Sequence, residues 1–379
     1  NLEKQLNEYK GFVNDRNKQI DYMQSVANDS FENSTEYKRM NNEIEYLRMV
    51  IKGHEITIKA KEDSIKGNMN TIQKLLKENE EFQSPEAVLV YSPNGVTGMS
   101  HIYHNLYGKR LARGEHRDKI RPILINNWEA TYFDFNETSI KNIAKEASNL
   151  GMELFVLDDG WFGKRNNDDC SLGDWFVNEE KIKGGLGKLS KEINDMGLQF
   201  GLWFEPEMVC PVSELYEKHP DWCIHIPGRI RSEARMQLIL DLSRDDVCDY
   251  IIETLSKVLS SASISYVKWD MNRNMTEIGS AKLPPERQRE LPHRYMLGLY
   301  RIMEELTTAF PHILFESCSG GGGRFDPGML YYMPQTWTSD NTDAIERLKI
   351  QYGTSLVYPN VSMGCHVSAI PNHQVHRMT

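Results

Sequence analysis

The stretch Tyr266-Val267-Lys268-Trp269-Asp270-Met271-Asn272-Arg273 decides how this chain is read. Ile264, Tyr266 and Val267 are β-branched or aromatic, as in a short buried strand, and the apolar run then ends in charge. Residues two apart on a strand share a face, so Lys268, Asp270 and Asn272 are expected to project together. A cation, a carboxylate and an amide gathered at a strand end are costly to bury without partners. Taken by itself, the stretch fits a structural ion pair as well as a functional group.

Working outward, the same strand-then-polar pattern recurs. Short apolar runs at 123–127, 154–157, 199–204, 237–242, 265–269, 313–316, 335–338 and 361–364 alternate with amphipathic stretches at 139–150, 186–196, 245–260, 294–310 and 344–353. Repeated strand–helix units imply a parallel sheet with right-handed crossovers. Eight strands within residues 115–379 suit the usual size, about 250 residues, of a (β/α)8 TIM barrel. The competing doubly wound sheet asks for a glycine-rich turn after its first strand. Asn126-Asn127-Trp128-Glu129 is not such a turn.

Residues 1–81 have another character. They hold no proline before Glu80, and Ile44, Ile51, Ile58, Ile65 and Ile72 recur every seventh residue, with an earlier ladder of Leu6, Val13, Ile20 and Ala27. This spacing predicts a long helical, coiled-coil-like segment, turned into a hairpin near residues 28–34 and serving as a spacer or homo-oligomerisation element. A connecting region follows over 82–114, with a strand at 87–91 and a helix at 99–111.

A net charge of −10 argues against a nucleic-acid or anionic-membrane partner. No apolar run approaches the roughly 18 residues of a membrane span. The N-terminus lacks the pattern of a signal peptide, although the absence of an initial Met leaves room for an upstream piece. Six scattered cysteines without a CxxC pair fit reduced thiols and a cytoplasmic location.

In a (β/α)8 barrel the site is built at the C-terminal strand ends, and here those ends are rich in carboxylates and tryptophans. Asp158-Asp159-Gly160-Trp161, Trp203-Phe204-Glu205-Pro206-Glu207 and Ser339-Asp340-Asn341-Thr342-Asp343 are examples. Asp343 reads as a helix cap. His366 reads as a hydrogen-bonded partner rather than a metal ligand, and no metal or cofactor is expected. The glycine run 320–323 lacks the lysine and Ser/Thr of a phosphate loop. It suits backbone amides approaching a neutral ligand. Carboxylates for hydroxyls, tryptophans for an apolar ring face and two further acids for the chemistry together suggest a sugar.

From about residue 82 onward the chain resembles the α-galactosidases of glycoside hydrolase family 36. The resemblance rests on Asn126-Asn127-Trp128-Glu129-Ala130-Thr131, Leu157-Asp158-Asp159-Gly160-Trp161-Phe162-Gly163, Trp203-Phe204-Glu205-Pro206-Glu207-Met208, Lys268-Trp269-Asp270-Met271-Asn272-Arg273, Glu316-Ser317-Cys318-Ser319-Gly320-Gly321-Gly322-Gly323-Arg324 and Trp337-Thr338-Ser339-Asp340-Asn341-Thr342-Asp343. It implies a retaining hydrolase that releases terminal α-1,6-linked galactose from melibiose, raffinose or stachyose. Asp270 matches the nucleophile and Asp340 the acid/base, whose proton burial and Asp270 are expected to hold. Trp128, Asp158, Asp159, Trp203, Arg235, Lys268, Asn272, Cys318 and Gly320 match substrate contacts. Against this resemblance, the family's N-terminal β-sandwich is expected to be reduced to one strand near 82–92. The barrel's closing helix and the C-terminal β domain are expected to be absent. A galactosyl transferase and a catalytically silent galactoside-binding remnant are the competing readings.

Overall fold

In the computed structural model, residues 2–28, 35–77, 84–368 and 370–371 are described. The chain divides into two compact units, Asn1–Leu89 and Val90–Thr379.

The first unit contains two helices, Leu2–Asn28 and Thr35–Lys77. Ile20 packs with Ile44, Leu47 and Ile51, flanked by Val13 and Met23. Val13, Ile20, Ile44 and Ile51 belong to the seven-residue ladders, so the repeat marks the face on which the two helices meet. Lys10 and Glu62 join the helices with an ion pair of 2.7 Å. The expected hairpin turn falls largely on 29–34, outside the described residues. No strand forms at 87–91, where Leu89 and Tyr91 are exposed, so the single surviving sandwich strand is not found. A strand needs a neighbouring edge to pair its backbone, and none lies beside this segment among the described residues.

The second unit is built on a curled parallel sheet. Its strands are β1 (Leu124–Asn126), β2 (Leu154–Leu157), β3 (Gln199–Phe204), β6 (Tyr266–Trp269), β7 (Leu314–Ser317) and β8 (Gln335–Thr336), in the order β1-β2-β3-β6-β7-β8. A short antiparallel pair, β4 (Met208–Val209) with β5 (Leu238–Ile239), stands apart. The fold is thus α/β, with a six-stranded half-barrel consistent with a partial TIM barrel. The near-continuous apolar strands are those of a sheet covered on both faces. Leu154, Val156, Tyr266 and Leu314 form a small inner cluster, whereas Phe155, Leu157, Phe200, Leu202 and Val267 join the large core that includes the helices. Gly201 makes room for this inner packing, since a Cβ there would lie 2.9 Å from the Tyr266 side chain.

Two expected strands differ. Residues 237–242 do not enter the parallel sheet, because β3 pairs with β2 on one edge and with β6 on the other. Their backbone is spent locally instead: Ile224 N–H donates to Ile239, Leu240 N–H to Glu207 and Asp241 N–H to Trp222. Residues 361–364 begin as a 3-10 turn, Asn360–Ser362, and touch the sheet only through a parallel bridge between Met363 and Thr336. The helices lie close to expectation, at Glu137–Asn149, Gly185–Asp195, Asp245–Ser260, Leu291–Ala309 and Ala344–Ser355. The helix expected at 99–111 runs from Gly95 to Leu106 and continues as a π turn to Leu111. Asp343 caps the last long helix, accepting from the amides of Ile345 and Glu346 at 2.9 Å each.

Candidate active site

The strand ends converge on Asp270, which lies just past β6 and is 6% exposed. Its Oδ2 accepts from Trp203 Nε1 at 3.0 Å and Asn272 Nδ2 at 2.8 Å. Its Oδ1 accepts from the Met271 amide at 2.9 Å, and the Cys318 thiol lies beside the same carboxylate. Three donors around one buried acid replace the water an anion would otherwise need. Burial first, and Asp270 second, push the Cys318 thiol well above its ordinary value, so it remains a thiol.

Trp203 is a fixed wall. Its backbone carbonyl accepts from Trp161 Nε1 at 3.0 Å. Its ring lies nearly parallel to Phe162, with centroids 6.3 Å apart. Lys268 does not reach Asp270 as an ion pair. Its Nζ lies 3.7 Å from Asp158 Oδ2 and 5.1 Å from the centre of the Trp337 ring. Burial alone would lower the Lys268 pKa, but Asp158 first, with Asp270 and Glu316, holds it above the ordinary lysine value.

At the end of β2, Asp158 Oδ2 also accepts from Asn126 Nδ2. Asn126 Oδ1 in turn accepts from the Trp128 backbone amide at 2.7 Å. One amide therefore ties the half-buried Trp128 to the acid beside it. Asp159 is engaged differently, in a buried bidentate pair with Arg165 at 2.9–3.3 Å. Burial pushes the Asp159 carboxyl up to about 6, against the opposing pull of Arg165. Two further main-chain carbonyls, those of Asp168 and Cys170, accept from Arg165. Sequence reasoning missed this cation, which sits in the polar run Lys164-Arg165-Asn166-Asn167.

Arg235 is exposed at the tip of a two-residue turn between Ala234 and Gln237, which pair as an antiparallel bridge. Arg235 and Met236 have φ of +55° and +56°. That hairpin geometry normally selects Asn or Gly. Non-glycine residues held there cost of order 1–3 kcal/mol each, and such strain concentrates at functional sites.

The glycine run has a clear role. A Cβ at Gly321 would lie 2.5 Å from Ser339 Cα, one at Gly322 2.8 Å from the Thr338 carbonyl and one at Gly323 2.7 Å from the Ser319 carbonyl. Three of the four glycines thus let the loop after β7 pack backbone-to-backbone, against itself and against the loop that carries Asp340. Only Gly320, at φ +53°, has open space above it. The Asp340 loop is also clamped by Arg347, which donates to the Ser339 and Asn341 carbonyls at 3.0 Å each. Asp340 itself is exposed, contrary to the expected burial, because it projects from a loop beyond the short strand β8. Trp337 Nε1 donates to its Oδ1 at 2.8 Å. His366 Nε2 is buried with no hydrogen-bond partner, and the ring meets Trp337 edge-on at 4.6 Å. The hydrogen-bonding role expected of that histidine is not found.

Two buried acids stand behind the site. Glu205 accepts from the Asn272 amide at 2.5 Å and from Gln237 Nε2 at 3.0 Å. Glu207 accepts from both Arg324 NH groups at 2.7 Å each, from Trp269 Nε1 at 2.8 Å and from the Tyr295 hydroxyl. Their position in Phe204-Glu205-Pro206-Glu207, at the end of an apolar strand, was the signal that could have marked them. Among the described residues no group of three or more His, Cys, Asp and Glu is arranged to hold a metal ion, and no helix is long and apolar enough to cross a membrane.

Residues 81–379 match the family model described as Melibiase. The chain is 72% identical over 304 residues to alpha-galactosidase AgaA of Geobacillus stearothermophilus, covering 80% of this chain and 42% of that enzyme. It is 55% identical over 304 residues to alpha-galactosidase 1 of Pediococcus pentosaceus, with the same shares of 80% and 42%. The crystal structure of AgaA matches with a TM-score of 0.77 at 73% identity, covering 79% of this chain and 42% of that one. Substituted forms of AgaA have been solved in complex with raffinose and with stachyose. This chain spans about two fifths of the length of the curated relatives it matches. With most of its length matched by the family model, the chain belongs to the melibiase family, glycoside hydrolase family 36.

Proposed function

We propose that this chain carries the catalytic site of a retaining α-galactosidase that releases terminal α-D-galactose from α-1,6-galactosides such as melibiose, raffinose and stachyose. The observation that carries the reading is the Asp270 carboxylate, buried among three donors where β3 and β6 end side by side. Asp270 attacks the anomeric carbon and forms a galactosyl ester, while Asp340 protonates the departing glycosidic oxygen. Trp337 occupies Oδ1 of Asp340, so the proton to be delivered sits on Oδ2. Once the ester has formed, Asp340 takes a proton from the incoming water. Asp158, Asp159, Lys268, Arg235, Cys318 and Gly320 hold the hydroxyls, and Trp128 and Trp203 wall the ring.

The wall around this site reads as the greater part of a (β/α)8 barrel over 115–379. The Ser368 hydroxyl, beyond the last bridge, donates to Glu129 just after β1 at 2.6 Å, which supports closure between the two open edges. The helices of residues 1–81 suit a coiled-coil oligomerisation element ahead of the 82–114 connector. The six free cysteines suit the cytoplasm.

The test is release of p-nitrophenol from its α-galactoside, but not from its β-galactoside, by the wild-type chain and not by Asp270→Asn. A folded wild-type protein without this activity contradicts the reading. The same assay tests the loop packing. Gly321→Ala must displace the Asp340 loop and is expected to lower kcat roughly 10²-fold, the cost of about a 1 Å misplacement. Gly320→Ala meets no neighbour and is expected to raise KM more than it lowers kcat. Equal kcat losses in the two variants would show that the packing of Gly321 does not place Asp340.

A further inference from the structure

Glu205 directly follows β3, is 1% exposed and lies outside the substrate contacts proposed above. Its Oε1 takes the backbone amide of Asn272, the residue whose side chain holds Asp270 Oδ2. Its Oε2 faces the side-chain amide of Gln237, itself 2% exposed. The other half of that amide, Gln237 Oε1, is buried without a hydrogen-bond partner. An amide's oxygen and nitrogen are assigned from their surroundings. Turning this one places the orphaned oxygen against Glu205 Oε2, and the contact is then a hydrogen bond only if Oε2 carries a proton. In that arrangement Gln237 Oε1 gains a donor while Nε2 takes the unpartnered position; in either orientation the groups that bond this 1% exposed carboxyl are neutral amides rather than cations, whereas a buried charge is ordinarily paired.

The surrounding charges favour the same state. Asp270 and Asp159 face Glu205 as anions from the ends of β6 and β2. Arg235 approaches from the strained turn, and Arg165 also feels the Glu205 charge. Burial, and then Asp270, push the Glu205 carboxyl up to about 8 despite the Asn272 amide and Arg235.

We propose that Glu205 is a positioning residue working as a neutral carboxylic acid, which locks the Asn272 turn against Asp270 while keeping a second anion away from the nucleophile. The role rests on the galactosidase reading given above. It is an arrangement of hydrogen bonds, and glutamine can reproduce it: Oε1 accepts from Asn272 and Nε2 donates to the turned Gln237.

Three measurements on the full chain test the proposal. Glu205→Ala is expected to lower kcat roughly 10²-fold with little change in KM, as a misplaced nucleophile requires. Glu205→Gln is expected to restore kcat to within about threefold of wild type, since an isosteric neutral group leaves no buried partner unmade. Wild-type kcat should fall as pH rises through about 8, because ionisation removes the proton shared with Gln237 and places a second anion beside Asp270. Glu205→Gln should lack that alkaline fall. Infrared difference spectra of the unliganded wild type minus Glu205→Gln should show the carbonyl stretch of a protonated carboxyl, lost over the same pH range. An absent band, or Glu205→Gln as impaired as Glu205→Ala, overturns the proposal. The infrared band needs no substrate, so it decides the state of Glu205 even if the galactosidase assay itself fails.

Discussion

Asp270→Ala is expected to lower kcat roughly 10⁴-fold or more, the scale on which covalent nucleophiles act. Asp270 is the one carboxylate that receives Trp203, Asn272 and the Met271 amide together. Asparagine is no gentle replacement. All three neighbours are donors and they cover both oxygens, so either orientation of its amide sets an NH2 group against another donor. Alanine opens space that a small anion can enter. Azide should therefore restore turnover of an activated α-galactoside and yield the β-galactosyl azide, because it attacks from the face Asp270 occupied. Restoration with the α-azide as product, or activity retained in the alanine variant, would assign the attack to another group.

The largest expected loss of stability belongs to Glu207→Ala. Glu207 is 0% exposed and is the common acceptor for Arg324, Trp269 and Tyr295. Removing one partner of a buried ion pair costs about 3–5 kcal/mol, since it strands the other charge. For a unit of this size that is a fall in Tm of roughly 5–8 °C. The cost comes from the stranded Arg324 cation rather than from net attraction in the pair. Glu207→Leu combined with Arg324→Met should accordingly be much less destabilising than Glu207→Ala alone. Thermal unfolding of the two variants, followed by circular dichroism, makes the comparison. Equal losses would mean that the pair contributes attraction beyond its burial.

The strands at 154–157 and 199–204 were legible because parallel strands covered on both faces leave uninterrupted apolar runs. The run at 237–242 looks the same and is just as buried. Apolar content reports burial and not the pairing partner, however, and its backbone bonds go to residues 207, 222 and 224. Asp158, Asp159, Asp270 and Asp340 could be picked out as acids at strand ends. What each acid is held by could not. The Arg165 partner of Asp159 comes from a loop that folds back on itself, and nothing in its neighbours marks it for burial. The glycine run was read as an approach to ligand. Its meaning depends on Ser339 and Thr338 lying against it, a contact no local pattern encodes. Asp340 was expected to be buried because its chemistry asks for a held proton, whereas its loop leaves it open to solvent.

Active-site labelling identifies the residue that attacks the sugar. A galactose-configured cyclophellitol aziridine esterifies the nucleophile of a retaining α-galactosidase, and digestion with mass spectrometry then locates the bond. One label per chain is expected, on Asp270 within Lys268-Trp269-Asp270-Met271-Asn272-Arg273, blocked by excess galactose. A label on any other residue, or none in a chain that hydrolyses the α-galactoside, would contradict it.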